Sequence, residues 1–477
     1  MNMAMRKFVG MCITLSLILL TGARPLRAQD EQPPPGGNKP KPAGSTYPIP
    51  AIDAGGQQDQ DNKLVPDMTP LTGIQNPTLG SPGIQHSYWV PGIQWSGTIQ
   101  SNSYNQTQNS GWLMNNYFLG NVSLLKAWTR STLSLNYSAG GFVTTDSSQG
   151  NGYYQQLALS QSFVWSRWQV QLLDQFSYLP QSSFAFGGAG GLGTPGIGGP
   201  LGPVIPGMGN GNVPNQSIYA SIGPRYSNSS AVQVTYQTSP RGSITMSGSY
   251  GLLNFVDAGN VDNNSITASI GYNYALNRED TIGVFYRFGA YHYNGQPQAN
   301  GDHSFNVAYG RKITGRLALQ LYGGPDFTTS RIPINGETLI YGFRGGANLQ
   351  YAIQNGSLGL GYTHGVSGGS GVLVGSTSDQ LNANLTHGIT RVWSGQLNVG
   401  YSHNAPIGTS AQPSFNSWTV GGGLNRPIGR NADFGISYNA NIADYGLTGC
   451  TGICANNQTT HYININFQWH ARPFVLP

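Results

Sequence analysis

The chain has 477 residues, of which 9% are charged, 38% are hydrophobic and 11% are aromatic, and its formal net charge is +5. So little charge argues against an ordinary soluble surface, and beyond the N-terminus no apolar run approaches the ~18 residues that a membrane-spanning helix needs. Richness in Gly, Ser, Asn and Gln could indicate disorder, but disordered chains lack this aromatic content and any regular period-2 pattern. Composition therefore excludes a helical membrane protein and a disordered main body.

The N-terminus carries the pattern of an export signal. Arg6 and Lys7 precede an apolar run at residues 8–20, and small residues allow cleavage after Ala28 or after Ala23. We therefore predict a signal peptide over residues 1–28, and Cys12, which lies inside the run, leaves with it.

Residues 29–90 are rich in Pro, Gly, Gln and Asn and show no sustained periodicity. This composition predicts a flexible periplasmic leader, because such segments cannot bury enough apolar surface to fold. The leader could contact the cell wall or a partner, or it could be a simple spacer, and the sequence leaves both readings open.

From residue 91 to residue 477 apolar and polar residues alternate in about eighteen separate stretches. In the last of them Ile463, Ile465 and Phe467 share one face, and Asn464 and Asn466 share the other. Strict alternation with almost no charge is typical of strands that have lipid on one side and water on the other. The predicted fold is an all-β, antiparallel, up-and-down transmembrane β-barrel of about 18 strands, within a range of 16 to 20. Strands are predicted to begin near Ile93, Asn116, Ser131, Tyr154, Trp168, Ala231, Gly242, Ser265, Asp280, His303, Leu317, Thr338, Gly356, Ser378, Trp393, Phe415, Asn431 and Thr459.

Short and long connections alternate between these stretches, which predicts the orientation. In bacterial barrels the short turns lie in the periplasm and the long loops lie outside. Cations such as Arg130, Arg241 and Arg316 fall in the short connections, where they can meet lipid headgroups. Because the basic residues are dispersed over many turns, no nucleic-acid partner is expected. The predicted location is the outer membrane of a Gram-negative cell, with its lipid as the partner.

Eighteen strands predict a lumen wide enough for an aqueous channel. The side chains expected to line it are mostly uncharged, and such a wall selects weakly among small polar solutes and hardly by charge. The predicted lining comprises Arg287, Arg344, Asn382, Asn384, Gln396, Asn398, Asp433, Ser437, Asn439, Asn464, Asn466 and Gln468.

Two segments allow more than one interpretation. The Gly-rich insertion at about residues 180–230, with its core at 186–211, is either a constriction that folds into the lumen or an exterior loop.

Cys450 and Cys454 form a close pair, which in an exported protein predicts a disulfide. The alternative is a metal site, for which His461 is the only nearby ligand. No cofactor or resident metal is expected.

Two pairs of adjacent residues could indicate an enzyme. A hydrolase needs a His beside an acidic or amide partner, and His303 with Asp302 and His403 with Asn404 have that spacing near predicted strand ends. A His in this place is more often an ordinary interfacial residue, so we predict no catalytic residue and no enzyme.

The segments 225–236, 239–245 and 248–255, together with Gly-Gly-Pro at 323–325, resemble uncharacterised outer-membrane barrel proteins of Acidobacteria. The resemblance covers about residues 155–469 and implies a porin-like barrel, without an assigned substrate or functional residue. The function expected is a porin-like passive channel for small polar solutes. The alternative is a structural or adhesive barrel whose exterior loops bind ligands and whose lumen is closed, and the oligomeric state is not assigned.

Overall fold

A computed structural model shows one closed antiparallel sheet that confirms the predicted fold class. It describes residues 71, 87–101, 112–145, 152–179, 225–256, 261–295, 297–332, 336–368, 374–407, 414–444 and 458–476, which all belong to the compact unit Pro48–Pro477. The predicted signal peptide, nearly all of the predicted leader, the core of the Gly-rich insertion, and Cys450 and Cys454 lie outside the described residues. Within the described ranges, no helix has the length and hydrophobicity to cross a bilayer.

Eighteen strands form the wall, and a two-residue strand follows the last of them. Each pairs antiparallel with its neighbour in the chain. The strands are β1 Tyr88–Gln100, β2 Leu113–Ala127, β3 Ser131–Thr144, β4 Gly152–Val164, β5 Trp168–Leu179, β6 Arg225–Gln237, β7 Gly242–Phe255, β8 Asn263–Ala275, β9 Asp280–Tyr293, β10 Ala299–Thr314, β11 Leu317–Ile332, β12 Gly336–Ile353, β13 Gly356–Ser367, β14 Ser376–Gly388, β15 Ser394–Pro406, β16 Phe415–Ile428, β17 Ala432–Asp444, β18 Gln458–His470 and β19 Phe474–Val475.

The barrel closes where the first strand meets the last. β1 and β18 pair from Gly92↔His470 to Gln100↔Tyr462, so no edge of the sheet is left open. On the inner face Asn464 Nδ2 donates to Ser96 Oγ (2.6 Å) and to Thr98 Oγ1 (3.0 Å) across this seam. β19 extends the same contact to the start of β1, where the rings of Trp89 and Phe474 stack 4.8 Å apart.

All eighteen predicted strands are present, and several begin at the predicted residue. The largest difference is at β6, which begins at Arg225 and not at Ala231, because the polar residues 225–230 continue the pairing with β5 in unbroken register. β1 begins at Tyr88, inside the range assigned to the leader. The starts that coincide are Ser131, Trp168, Gly242, Asp280, Leu317, Gly356 and Phe415.

The two faces of the strands differ as the alternation predicts. On β18, Ile465 and Phe467 are 37% and 41% exposed on the outside, whereas Asn464 and Asn466 are buried on the inside. The apolar outer side chains are stable in contact with lipid hydrocarbon. The polar inner side chains can form hydrogen bonds with one another or with water. The sheet is thus a wall between lipid and a polar interior.

Aromatic side chains mark the two borders of the apolar band. Near the long connections, Tyr178 stacks between Tyr153 and Tyr226, with ring centroids 4.6 and 4.5 Å away. At the short-turn end of the same strands, Trp168 and Tyr236 lie 4.5 Å apart. Such girdles sit at the two membrane–water interfaces of transmembrane barrels.

Asp174 is an exception to the apolar outer face. It shares the outer face with Val170 and Leu172, and the registers of β5 with β4 and with β6 contain no bulge that would turn it inward. The carboxylate instead accepts hydrogen bonds from Ser230 Oγ (2.5 Å) and Asn228 Nδ2 (3.2 Å) on the next strand. Hydrogen bonds to the carboxylate lower the free-energy cost of placing this polar group on the lipid-facing side.

The orientation can be tested on intact cells. Residues 369–373 belong to a long connection between β13 and β14, whereas Gly429, which has φ of +73°, forms a tight turn between β16 and β17. We expect an epitope inserted after Gly369 to be labelled by antibody on intact cells, and one inserted after Gly429 to be labelled only after permeabilisation. The reverse pattern would overturn the orientation but not the barrel.

Candidate channel lumen

The residues predicted to line the lumen lie on the inner face of the wall. Each alternates along its strand with outward side chains, as Asn398 does with Leu397 and Val399, which are exposed on the outside. Arg287, Arg344, Ser437, Asn464 and Asn466 are buried; Asn382, Gln396, Asn398, Asp433, Asn439 and Gln468 are partly exposed, and Asn384 is exposed.

A cluster of charges occupies the inner face of β9 to β12. Asp302 on β10 is fully buried and accepts hydrogen bonds from Arg287 Nη1 on β9 (2.5 Å) and Arg344 Nη1 on β12 (3.3 Å). Asp326 on β11 is buried nearby and feels the charge of all three groups. Two Arg and two Asp side chains balance, so the cluster places strong local fields in the wall without a net charge.

The two Arg side chains of this cluster are among the residues predicted to line the lumen, whereas its two carboxylates are not. Strand pairing creates the cluster, since Asp302 faces Gly289 across the β9–β10 ladder. A side chain at Gly289 would overlap the Asp302 carboxylate. Because glycine has no side chain, the carboxylate can occupy that space. The register that exposes this relation is not visible in the sequence itself.

At the long-connection end, residues of β13 and of the connection after it contact the inner face of β9 and β10. Tyr291 Oη donates to the backbone oxygen of Val366 (3.4 Å), and Asn300 Nδ2 donates to that of Val374 (3.2 Å). Val366 and Val374 lie toward the two ends of the β13–β14 connection, and through these bonds they contact β9 and β10, several strands away in the wall. A hydrophobic cluster forms there from Tyr291, Tyr293, Val366 and Ile407, with Val261, Ile340 and Val374 packed against it.

Inner-face polar residues near these contacts are buried, whereas those near several short turns are not. Ser376 and Asn404, at the long-connection ends of β14 and β15, have no exposed surface, but Asn384, farther along β14, is exposed. Asp262, in the β7–β8 connection, has a raised pKa because of its burial, although the N–H of Phe255 donates to it (2.7 Å) and opposes the shift. On β14 the inner face is thus more buried at the long-connection end than farther along the strand.

In each of the two candidate hydrolase pairs, the wall separates the histidine from its neighbour. Asp302 points inward, whereas His303 lies on the outer face, where its Nδ1 is hydrogen-bonded to Tyr286 Oη (2.6 Å). In the same way Asn404 is buried inside, and His403 Nδ1 is hydrogen-bonded to Asn416 Oδ1 (2.7 Å) outside. Adjacent residues of a strand point to opposite faces, so neither pair can act as a unit.

Histidines instead recur on the outer face near the long-connection end. His364 Nδ1 contacts Asp379 Oδ1 (2.7 Å), and His461 Nδ1 is hydrogen-bonded to Tyr438 Oη (2.8 Å). These positions suit interfacial polar residues. The described residues contain no group of three or more His, Cys, Asp or Glu side chains able to hold a metal ion.

No family model matches the chain, and no curated protein matches it in sequence. Solved structures to which it is similar include the outer membrane protein OpdK from Pseudomonas aeruginosa, at 10% identity and a TM-score of 0.40, over 81% of this chain and 99% of that one. OccAB3 of Acinetobacter baumannii has 8% identity and a TM-score of 0.38, over 80% and 99% of the two chains. A BenF-like porin from Pseudomonas fluorescens Pf-5 has 10% identity and a TM-score of 0.41, over 81% and 99%. The closed barrel of this chain is established by its own strand pairing.

Proposed function

We propose that this protein is a porin-like passive channel of the Gram-negative outer membrane for small polar solutes. The observation that carries the proposal is the closed wall of eighteen strands, apolar outside and lined inside by Asn, Gln, Ser and Thr. A barrel of 16 to 18 strands is wide enough to enclose water. The resemblance to barrels of Acidobacteria belongs to the same proposal.

The lining favours selection by size and hydrogen bonding over selection by charge. The buried charges near the middle of the wall cancel, since Arg287 and Arg344 both bond Asp302 and Asp326 lies beside them. The remaining inner-face groups are largely amides and hydroxyls, which can replace part of the hydration shell of a small polar solute. One of the similar solved structures is OpdK with vanillate, and no solute is assigned to this chain from it.

The alternative function is a structural or adhesive barrel with a closed lumen. The hydrophobic cluster around Tyr291 and Val366 favours it, because residues from β13 and from the end of the β13–β14 connection pack there against inner-face tyrosines of β9. The two functions differ in whether ions pass through the folded protein.

Single-channel recording of refolded protein in a planar bilayer tests the proposal. We expect stable open steps for the native chain and a smaller step for Asn398→Trp, because the indole enters the lumen. Leu397→Trp is the matched control, since Leu397 is 58% exposed on the outer face and a Trp there meets lipid. Silence of protein whose folding is verified by gel mobility, or equal steps for both variants, would contradict the channel proposal.

A further inference from the structure

Asp174 places a carboxyl group on the lipid-facing side of the wall, near the middle of the apolar band. It lies on β5 between Trp168 and Tyr178, whose rings mark the two borders of that band. A charge close to a strand end can meet headgroups or water, whereas a charge at the middle of a strand meets hydrocarbon. In the described wall, the other outward Lys, Arg, Asp and Glu side chains all belong to the first or last four residues of their strands; they are Lys126, Asp280, Arg311, Arg331, Glu337, Asp379, Arg426 and Asp444.

Hydrogen bonds within the chain satisfy only one oxygen of this carboxylate. Ser230 Oγ and Asn228 Nδ2 both donate to Asp174 Oδ1, whereas no group of the described residues donates to Oδ2. Gln161 on β4 faces outward opposite Leu172, and its amide makes no hydrogen bond to any residue that the structure describes. Polar atoms that face hydrocarbon without a partner are costly in free energy. We call Gln161, Asp174, Asn228 and Ser230 the outer polar patch.

The wall beside the outer polar patch allows close approach of another surface. Gly248 on β7 pairs with Val232, which lies two residues along β6 from Ser230 and is exposed on the outside. An ideal Cβ built at Gly248 would contact only Val232 Cγ1, at 3.8 Å, so packing within the chain does not require a glycine there. Glycine inside a strand often marks a place where another backbone comes close. The outer face next to the patch therefore has room for a second protein surface.

The hydrogen-bonding groups of the patch are complementary to those of an identical patch. A carboxylate oxygen can only accept, and the side-chain nitrogen of Gln161 has two N–H groups to donate. When two copies meet at this face, Gln161 of each copy can donate to Asp174 Oδ2 of the other. The two residues are diagonal neighbours on adjacent strands, ~7 to 8 Å apart, a difference in depth that a Gln side chain can span. The described wall has one such patch, and a contact between identical surfaces has two-fold symmetry, whereas larger rings join two different surfaces.

We propose that the outer polar patch is the interface of a two-fold symmetric homodimer, in which the β4–β6 faces of two barrels meet. Association inside a bilayer gains little from the burial of apolar surface, since lipid is equally apolar, so hydrogen bonds between polar side chains contribute to it and make it specific. The homodimer accounts for the carboxyl group of Asp174 in the apolar band, for the unbonded amide of Gln161 and for the open surface at Gly248. It concerns the outer face of the wall and does not depend on the channel function.

Native mass spectrometry of the protein in mild detergent tests the association. We expect the native chain to be a dimer, and Asp174→Leu and Gln161→Leu each to raise its dissociation constant about tenfold or more, because each removes two symmetric charge-assisted hydrogen bonds. Both variants place an apolar side chain on the lipid-facing side, so they should fold, which the shift in gel mobility verifies. Asp379→Leu removes an outward carboxylate near the end of β14, away from the patch, and as the matched control it should dimerise like the native chain.

Cross-linking in the membrane locates the interface. V232C places a thiol beside the patch, and V420C places one on β16, on the far side of the ring; the native side chains are 38% and 44% exposed. A short bismaleimide should link V232C into a dimer band on a denaturing gel, whereas V420C should give only the band of the native chain, which keeps Cys450 and Cys454.

Four results would overturn the homodimer. Equal cross-linking of V232C and V420C would place any contact elsewhere, and a folded Asp174→Leu chain that dimerises like the native chain would show that the patch is not the interface. A native chain that is monomeric would mean that lipid covers the patch. A co-purified protein of different mass that Asp174→Leu loses would mean that another protein covers it.

Discussion

Ile465→Lys is expected to abolish most of the folded barrel, whereas Asn466→Lys should leave its yield close to that of the native chain. Ile465 is 37% exposed on the outer face, midway along β18, and a Lys near the centre of the bilayer costs about 2 to 4 kcal/mol. Asn466 lies on the inner face above Gly435, where a longer side chain can extend toward the axis of the lumen.

The measurement is the folded fraction after refolding into lipid vesicles, followed by the shift in gel mobility between unheated and heated samples. The two positions are adjacent, so depth in the membrane and local backbone are nearly the same, and only the face differs. Equal folded yields for the two variants would show that the face assignment of β18 is wrong.

Asp302→Asn is expected both to destabilise the barrel and to make the channel prefer anions. Removing one partner of a buried ion pair typically costs about 3 to 5 kcal/mol, because the other charge stays buried. Here Arg287 and Arg344 both lose their carboxylate, and only Asp326 remains to balance them. The reversal potential in a KCl gradient should therefore move toward that of chloride, and unfolding should occur at a lower urea concentration.

Two further variants make this test specific. Asp302→Asn combined with Arg344→Gln restores the balance of charge, so the reversal potential should return toward the native value. Glu337→Gln breaks the exposed pair with Arg331 (3.6 Å), and exposed pairs contribute about 0 to 1 kcal/mol, so little should change. A native reversal potential in the Asp302→Asn channel would mean that solutes do not pass near the cluster.

The strands could be predicted from the sequence because successive side chains of a strand face lipid and lumen in turn. Lipid-facing residues are apolar and lumen-facing residues are polar, so the residue types alternate. The prediction was least accurate at β6, where the outward Asn228 and Ser230 are polar and serve Asp174 on the neighbouring strand. Where both faces are polar, the alternation disappears although the pairing continues.

The lumen could be predicted only in part. Arg287 and Arg344 could be predicted as lumen residues because they are charges on a face of amides and hydroxyls. Asp302 could not, because in the sequence its apparent partner is the adjacent His303, which lies on the other side of the wall. The true partners come from other strands, and register decides them. The contact of Leu71 with Phe285 and Ala308 on the inner wall, beside Gly310, could not be predicted, because a single apolar residue in a polar segment has no period.

The seam between β1 and β18 has a consequence for how the protein is made. Asn464 and Ser96, which bond across it, are 368 residues apart, and joining ends so distant costs about 5 kcal/mol of chain entropy. During synthesis β1 appears first, and β2 can pair with only one of its edges. The other edge has to wait for the last strand, and an unpaired edge invites association with other chains. Biogenesis therefore depends on whatever shields β1 during that interval, and shortening the chain by β18 alone would leave the whole sheet open.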